Sequence, residues 1–303
     1  MIQSEPDPLA TPIFSVIIPA YNDWIQLDLC LQSITRQTNA PRFEVIVVDD
    51  GSADLAPDHI SLVRNFPLTV MRQPHAGIAS ARNQGIRAAK GKVLVFVDAD
   101  CRLQSDCLSA LNSVVARSPQ HDHFQLRLIG NGSSLVGRAE HLRLITFQNH
   151  MLQPDGCIRY LNTAGFAIRH ERVDTDTGVF DPAALRAEDT LLLATLMQRG
   201  RLPLFVPDAI VEHAIPLSVM QCVRKDIRTV SLEKAANDII TSKGVRIRLD
   251  HWERLKLLRS MWKTAGQTSI GRSAWFVLVV RQATQRVITF GYQTFRLGSA
   301  ASA

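Results

Sequence analysis

Two aspartates one residue apart, Asp98 and Asp100, follow directly on the apolar run Val93-Leu94-Val95-Phe96-Val97. Five consecutive apolar, largely β-branched residues predict a strand buried on both faces, of the kind found inside a helix-covered parallel sheet. In open α/β sheets ligands bind in the crevice outside the carboxyl ends of the strands, so these carboxylates are placed to face a ligand and to hold a divalent cation. A cation at that position suggests a phosphate-bearing ligand. The spacing alone is not selective, and the chain supplies its own control. A second Asp-x-Asp, Asp174-Thr175-Asp176, follows no apolar strand and predicts a loop among Thr, Gly and Asp.

Polar residues also follow the earlier apolar runs. The first ends in Pro19-Ala20-Tyr21-Asn22 and the second in Asp49-Asp50-Gly51-Ser52, so three strand ends bring polar groups to one rim. A carboxylate such as Asp50 can accept the imide N–H of a uracil, and Gly51 lets the backbone turn tightly and approach a ring. A plain Asp-Gly turn accounts for the same residues. The small residues of Gly77-Ile78-Ala79-Ser80-Ala81-Arg82-Asn83-Gln84-Gly85 allow a diphosphate near the backbone, with Arg82 as a planar cation for it. Close packing of a helix on a sheet explains them equally well.

The elements that must carry these residues alternate. Phe14 to Ile18, Phe43 to Val48 and Leu68 to Met71 predict strands, and Trp24, Leu27, Leu31 and Ile34 predict one face of an intervening helix. Ala76 to Lys90 predicts a helix, and so does Ser105 to Arg117, with Ser105 as its N-cap. This rhythm implies an α/β chain with a doubly wound, mostly parallel sheet flanked by helices. Beyond Pro119 the expected elements are a strand at Phe124 to Ile129, a helix at Ser134 to His150 and a strand region at Ile158 to Ile168. A helix at Glu188 to Arg199 and short strands at Leu204 to Val206 and Ile210 to Val211 complete the set. From Ser218 the pattern turns helical and basic, with Val219, Val223, Ile227 and Val230 along one face.

Composition narrows the function classes. With 303 residues, 46% of them hydrophobic, the chain can bury a full core and is not a disordered protein. The formal charge of +6 is uneven: 15 of the 34 Lys and Arg but 5 of the 28 Asp and Glu lie from Pro216 onward. Cys30, Cys101, Cys107, Cys157 and Cys222 form neither a C-x-x-C pair nor a regular framework, so neither a zinc site nor a disulfide scaffold is expected, and a reducing compartment is. No apolar stretch approaches the ~18 residues that span a bilayer. The first twelve residues carry no basic residue or long apolar run and are expected to be a flexible leader rather than a signal or anchor.

Taken in order, Pro19-Ala20-Tyr21-Asn22, Val47-Val48-Asp49-Asp50-Gly51-Ser52, Ala81-Arg82-Asn83-Gln84-Gly85 and Val95-Phe96-Val97-Asp98-Ala99-Asp100 resemble the signature of family 2 glycosyltransferases. In the second half, Leu161-Asn162-Thr163-Ala164-Gly165-Phe166-Ala167-Ile168-Arg169, Gly178-Val179-Phe180-Asp181, Glu188-Asp189 and Val206 to His213 resemble the family's acceptor-side motifs. The match runs from about Phe14 to Pro216.

The resemblance implies a GT-A fold, a nucleotide-sugar donor, a divalent cation (Mg²⁺ or Mn²⁺) and an inverting single displacement. Position by position, it implies donor binding by Pro19, Tyr21, Asn22, Asp50, Arg82, Asn83 and Asp98, with Asp50 on the base and Asp98 on the ribose or metal side. Asp100 would hold the metal that bridges the diphosphate, and His213 is a further candidate ligand. Asp189 matches the family's base, and Glu188 is its rival, because adjacent helix residues point about 100° apart and one of them faces the sugar. Both acids also suit the positive end of a helix dipole. Thr163, Ala164, Gly165 and Glu188 fall on the acceptor side. The chain departs from the family pattern in two places: Leu191 stands where many relatives carry an acid, and no Gln-x-x-Arg-Trp follows, which points to single addition rather than processive synthesis.

The expected function is therefore transfer of one sugar, from a UDP-sugar first of all, to a saccharide or lipid-linked hydroxyl acceptor in envelope or extracellular polysaccharide or glycolipid assembly. A catalytically silent nucleotide-sugar-binding scaffold and a nucleotidyltransferase are the alternatives. The expected division is a leader at 1–12, a catalytic domain at 13–216 with a nucleotide half at 13–118 and an acceptor half at 119–216, and a basic amphipathic helical extension at 217–303. In that extension Trp252, Leu255, Leu258 and Trp262 are read as one apolar stripe and Trp275, Val279, Ala283 and Val287 as another. Such helices either lie on an anionic membrane surface or cover the catalytic domain, and the expected location is cytoplasmic and peripheral on the inner face of the membrane. No nucleic-acid motif accompanies the charge, and nucleic acid is not an expected partner.

Overall fold

The computed structural model describes residues 11–61, 64–132, 134–183, 187–213, 245, 247 and 249–284. It divides into two compact units. One comprises Met1–Arg127, Leu161–Ala183 and Pro203–Val211; the other comprises Leu128–Tyr160, Ala184–Leu202 and Glu212–Ala303.

The first unit is organised by a sheet in which β1 (Phe14–Ala20), β2 (Phe43–Asp49), β3 (Leu68–Arg72) and β4 (Val93–Phe96) run parallel in the order β3-β2-β1-β4. Chain order reverses direction between β1 and β4, so the crevice at a topological switch point opens beside the carboxyl ends of those two strands. All seven residues of β1 and all four of β4 are buried, as continuous apolar runs require. The helix α1 (Trp24–Thr35) turns Leu27, Cys30, Leu31 and Ile34 inward. The helix α2 (Ile78–Ala88) presses Gly85 against the sheet, where a Cβ would lie 2.4 Å from Ile17 Cγ2.

The remaining strands complete an eight-stranded sheet, β3-β2-β1-β4-β7-β6-β8-β5, with β5 at Cys101–Leu103, β6 at His123–Gly130, β7 at Phe166–Arg169 and β8 at Leu204–His213. β7 pairs antiparallel with both β4 and β6, which departs from the parallel pattern of the first half. The expected strand region at Ile158 to Ile168 resolves into a buried 3₁₀ turn, Thr163–Gly165, followed by β7. The helix after Asp100, α3 (Cys107–Arg117), has Asp106 rather than Ser105 at its N-cap. Asp174-Thr175-Asp176 is a turn, with Asp174 Oδ1 accepting from the N–H of Asp176 at 2.9 Å.

In the second unit α4 (Leu135–Met151) starts at Ser134, whose side chain accepts from the Gly137 N–H. The helix α5 (Glu188–Gln198) begins with two acids, and α6 (His251–Gln267) opens with a capping box between Asp250 and Glu253. Ala139 and Leu142 of α4 share one core with Leu257, Met261 and Ala265 of α6 and with Ala274 and Leu278 of a helical stretch at 272–284. The inward face of α6 is therefore Leu257, Met261 and Ala265 rather than the Trp252 and Trp262 stripe, and Trp252 is 71% exposed. On the next helix the inward residues are Ala274 and Leu278, one position off the expected Trp275 and Val279. Alanines at 265 and 274 suit the seam because small side chains let two helix axes approach. Val287 and the expected helix from Ser218 lie outside the described residues, as does Cys222. Among the described residues no helix is long and apolar enough to cross a membrane.

Candidate active site

The turn after β2 is built around Asp50. Gly51 has φ +76°, and a Cβ there would lie 2.7 Å from the backbone N of His75, so neither the conformation nor the space admits another residue. The segment at 73–77 thus runs against the Asp50-Gly51 turn, and the buried Asp50 carboxylate ties it down. Its Oδ1 accepts from Gln73 Nε2 at 2.7 Å and Ala76 N at 2.9 Å. Its Oδ2 accepts from Gly77 N at 2.9 Å and lies 2.9 Å from His75 Nδ1. Because that nitrogen faces only oxygens, Asp50 Oδ2 and the Asp50 carbonyl at 3.0 Å, it carries the proton. The His75 ring stacks on Tyr21, the residue just past β1, with ring centroids 4.4 Å apart and planes inclined by 24°.

Around this turn Asn22, at φ +54°, donates its N–H to Ser52 Oγ and accepts from the Ala53 N–H at 2.7 Å. Asp49 closes the loop by accepting from the Ser52 N–H at 2.9 Å. Pro19 lies in the buried body of β1.

At the end of β4 the two aspartates differ. Asp98 Oδ1 accepts from Arg82 Nη2 at 2.7 Å, and Arg82, although charged, is 1% exposed. Its guanidinium lies 5.5 Å over the Phe180 ring, so the charge is held between a carboxylate and an aromatic face. Asn83 is 3% exposed and engaged with main chain: Nδ2 donates to the Phe180 carbonyl at 2.6 Å, and Oδ1 accepts from the N–H groups of Val179 and Phe180, each at 3.1 Å. Arg82 and Asn83 thus point inward, toward Asp98 and the 178–180 segment. Asp100 is half-buried and leads into β5. Beneath the pair lie thiols: Cys30 Sγ contacts the Asp98 carbonyl and Cys101 Sγ contacts Asp100 Oδ1, each at 3.8 Å. Burial pushes the Cys30 thiol up to about 12, and burial followed by the charge of Asp98 raises that of Cys101, so both stay protonated. Asp98 and Asp100 offer hard carboxylate oxygens beside neutral thiols, a donor set that fits Mg²⁺ or Mn²⁺.

The first unit also holds Thr163, Ala164 and Gly165 in their buried 3₁₀ turn, fixed by Gln125 Nε2 donating to the Gly165 carbonyl at 2.8 Å. In the second unit Glu188 and Asp189 form the first turn of α5. Glu188 is buried; Asp189 is half-buried, and its Oδ1 accepts from Thr190 N at 2.6 Å and Thr190 Oγ1 at 3.0 Å. His213 closes β8.

A family model described as Glycosyl transferase family 2 matches residues 15–174, more than half of the chain. The chain belongs to that family. Relatives of this family 2 chain include a putative glycosyltransferase EpsH of Bacillus subtilis (strain 168), 34% identical over 102 residues, which are 32% of this chain and 29% of the relative. Validoxylamine A glucosyltransferase of Streptomyces hygroscopicus subsp. limoneus is 43% identical over 91 residues, 29% of this chain and 20% of the relative. The match thus spans about a third or less of the length of these curated relatives. Among solved structures, the mannosyltransferase PcManGT from Pyrobaculum calidifontis in complex with GDP-Man and Mn²⁺ aligns with a TM-score of 0.59 and 20% identity, over 94% of this chain and 85% of that one. S. aureus TarS 1-349 in complex with UDP aligns with a TM-score of 0.53 and 19% identity, over 88% and 74%. The fold of the family 2 chain is GT-A.

Two parts of the site carry no sequence signal of their own. His75 is a single exposed histidine in a loop, and Asp49 reads as one more acid in an Asp-Asp-Gly turn; their partners become evident only once β1, β2 and the 73–77 segment are side by side.

Proposed function

We propose that this chain transfers a single sugar from a nucleotide-diphosphate sugar, a UDP-sugar first of all, to a hydroxyl group of a saccharide or lipid-linked acceptor, with inversion at the anomeric carbon. The observation that carries the reading is the arrangement at the switch point, where the ends of the neighbouring parallel strands β1, β2 and β4 present Tyr21, Asp50, Asp98 and Asp100 within one unit of a family 2 chain. UDP in the TarS structure and GDP-Man with Mn²⁺ in the PcManGT structure support the donor class and the cation.

In this reading Asp50 accepts the imide N–H of the base and Tyr21 stacks on it. Arg82 holds Asp98 on the ribose or metal side, and Asn83 acts as a positioning residue. Asp98 and Asp100 would hold a divalent cation, with His213 as a further candidate ligand; when bound, the cation offers Lewis-acid stabilisation of the leaving diphosphate. Asp189 takes the proton of the acceptor hydroxyl as its oxygen bonds to the anomeric carbon and the bond to the β-phosphate oxygen breaks. The burial of Glu188 beside a half-buried Asp189 supports Asp189 for this step. Thr163 to Gly165 shape the acceptor side. The 13–216 region is the catalytic part, acting in envelope polysaccharide or glycolipid assembly at the cytoplasmic face; the helices beyond it either cover that part, which the packing of Leu257, Met261 and Ala265 with Ala139 and Leu142 supports, or rest on an anionic membrane surface.

Release of nucleoside diphosphate from a panel of nucleotide sugars tests the reading. It should require Mg²⁺ or Mn²⁺, fall about a hundredfold or more in Asp100→Ala, and in Asp189→Asn give way to donor binding without transfer. Release that survives both chelation and Asp100→Ala would overturn the metal role, and full transfer in Asp189→Asn would move the base elsewhere.

A further inference from the structure

We propose that the imidazole of His75 occupies the place of the donor's nucleobase, so that the base binds by displacing a side chain of the protein itself. The proposal rests on the reading of Asp50 and Tyr21 as the base subsite.

A base at that subsite needs an N–H on the Asp50 carboxylate and an aromatic face against Tyr21. His75 already makes both contacts: Nδ1 is 2.9 Å from Asp50 Oδ2, and the ring stacks on Tyr21 at 4.4 Å, which leaves no room for a second ring between them. A carboxylate has about four acceptor positions, and three of those on Asp50 are filled by hydrogen bonds. Two are taken by the backbone N–H groups of Ala76 and Gly77 and a third by Gln73, which is itself tethered to Ser80 Oγ at 3.2 Å. Against the fourth lies His75 Nδ1, 2.9 Å from Oδ2 and hydrogen-bonded to the Asp50 carbonyl at 3.0 Å, on a side chain that is 58% exposed. An incoming imide N–H therefore gains its acceptor where His75 lets go.

The geometry also says which part of His75 moves. Its backbone is pinned, because Gly51 leaves no space beside the His75 N, and the Gln73 N–H is held by the Asp49 carbonyl at 2.9 Å. The side chain borders solvent and is retained by the Asp50 and Tyr21 contacts, so rotation about its χ angles frees the subsite with no change of main chain. Tyr21, itself 48% exposed, stays behind as the platform. If the ring fills the subsite about 70 to 90% of the time, apparent affinity is scaled down to the unfilled fraction of its intrinsic value, and removing the ring tightens binding about three- to tenfold.

Calorimetry on the full chain with Mn²⁺ tests this. UDP, GDP and dTDP are titrated, and the tightest is carried into His75→Ala, His75→Phe, Asp50→Asn and Tyr21→Ala, with inorganic pyrophosphate as the baseless control. His75→Ala should bind the nucleotide about three- to tenfold tighter and pyrophosphate unchanged. His75→Phe, which keeps the stack but has no N–H for Asp50, should fall between wild type and His75→Ala. Unchanged or weaker nucleotide binding in His75→Ala, with Asp50→Asn and Tyr21→Ala both weakening it, would overturn the displacement while leaving the base subsite in place. Indifference to Asp50→Asn and Tyr21→Ala, or no nucleotide binding by the wild type, would overturn the underlying reading and the proposal with it.

Discussion

Replacing Asn83 by alanine should loosen the donor half of the sheet from within. Asn83 satisfies three main-chain groups of the 179–180 segment, two N–H donors and one carbonyl, at a position 3% exposed to solvent. With the amide gone, the buried N–H and carbonyl of Phe180 lose their partner, and so does the half-buried Val179 N–H. At about 1 kcal/mol net for each lost hydrogen bond, and more where the orphaned group stays buried, the loss comes to about 3–5 kcal/mol. The effect extends toward the site. Phe180 stands edge-on to Phe96 at 5.1 Å and lies under the Arg82 guanidinium, and Arg82 holds Asp98. Nucleotide affinity should therefore drop along with stability. Urea denaturation followed by circular dichroism reads the first effect as a lower midpoint at unchanged slope. A loss below about 1 kcal/mol would refute the assignment of Asn83 as the clamp of this segment.

Three further outcomes follow from the packing and the charges. Gly85→Ala places a Cβ 2.4 Å from Ile17 Cγ2, in the fully buried middle of β1, and should cost about 1–3 kcal/mol; an unchanged melting temperature would mean that α2 stands further from the sheet than described. Cys30, Cys101 and Cys107 are buried thiols with raised pKa values, so at pH 8 they should be essentially unreactive to iodoacetamide in the native chain and react on unfolding; native labelling of these peptides at the unfolded rate, read by mass spectrometry, would contradict this. Trp262, Trp275 and Phe276 pack edge to face, with Arg272 over Trp262 at 4.7 Å. If that cluster seats on anionic lipid, co-sedimentation with phosphatidylglycerol vesicles should be lost in the Trp262→Ala, Phe276→Ala double variant and at high salt; binding equal to wild type would refute it.

Where a residue's neighbours follow from its own element, the sequence was readable. The apolar runs of β1 and β4 need burial on both faces and have it, and Leu27, Leu31 and Ile34 lie inward on α1 at helical spacing. The polar ends of those strands then follow from the parallel order. Where the neighbours come from elsewhere, sequence offered little. β5 is three residues long, too short for any periodicity, and Pro207-Asp208, exposed in succession, break the alternation of β8 and make one strand of ten residues look like two. Arg82 and Asn83 are expected as donor contacts, and what the sequence does not show is that Arg82 reaches Asp98 and Asn83 the main chain at 179–180, the latter nearly a hundred residues away. The inward face of α6 turns on Met261 and Ala265, which a count of large apolar residues passes over.

The insertion of β7 between β4 and β6 bears on how the chain is made. When the ribosome has delivered the segment through β4, Val93-Leu94-Val95-Phe96 forms the rim of an unfinished layer, with unpaired amides on one side and four greasy side chains above and below. Its cover, Phe166–Arg169, emerges about seventy residues later, several seconds away at ordinary elongation speeds. Until then the nascent polypeptide displays an adhesive border suited to a chaperone or to a neighbouring nascent copy, so fragments that stop short of residue 169 should be insoluble where longer ones are not.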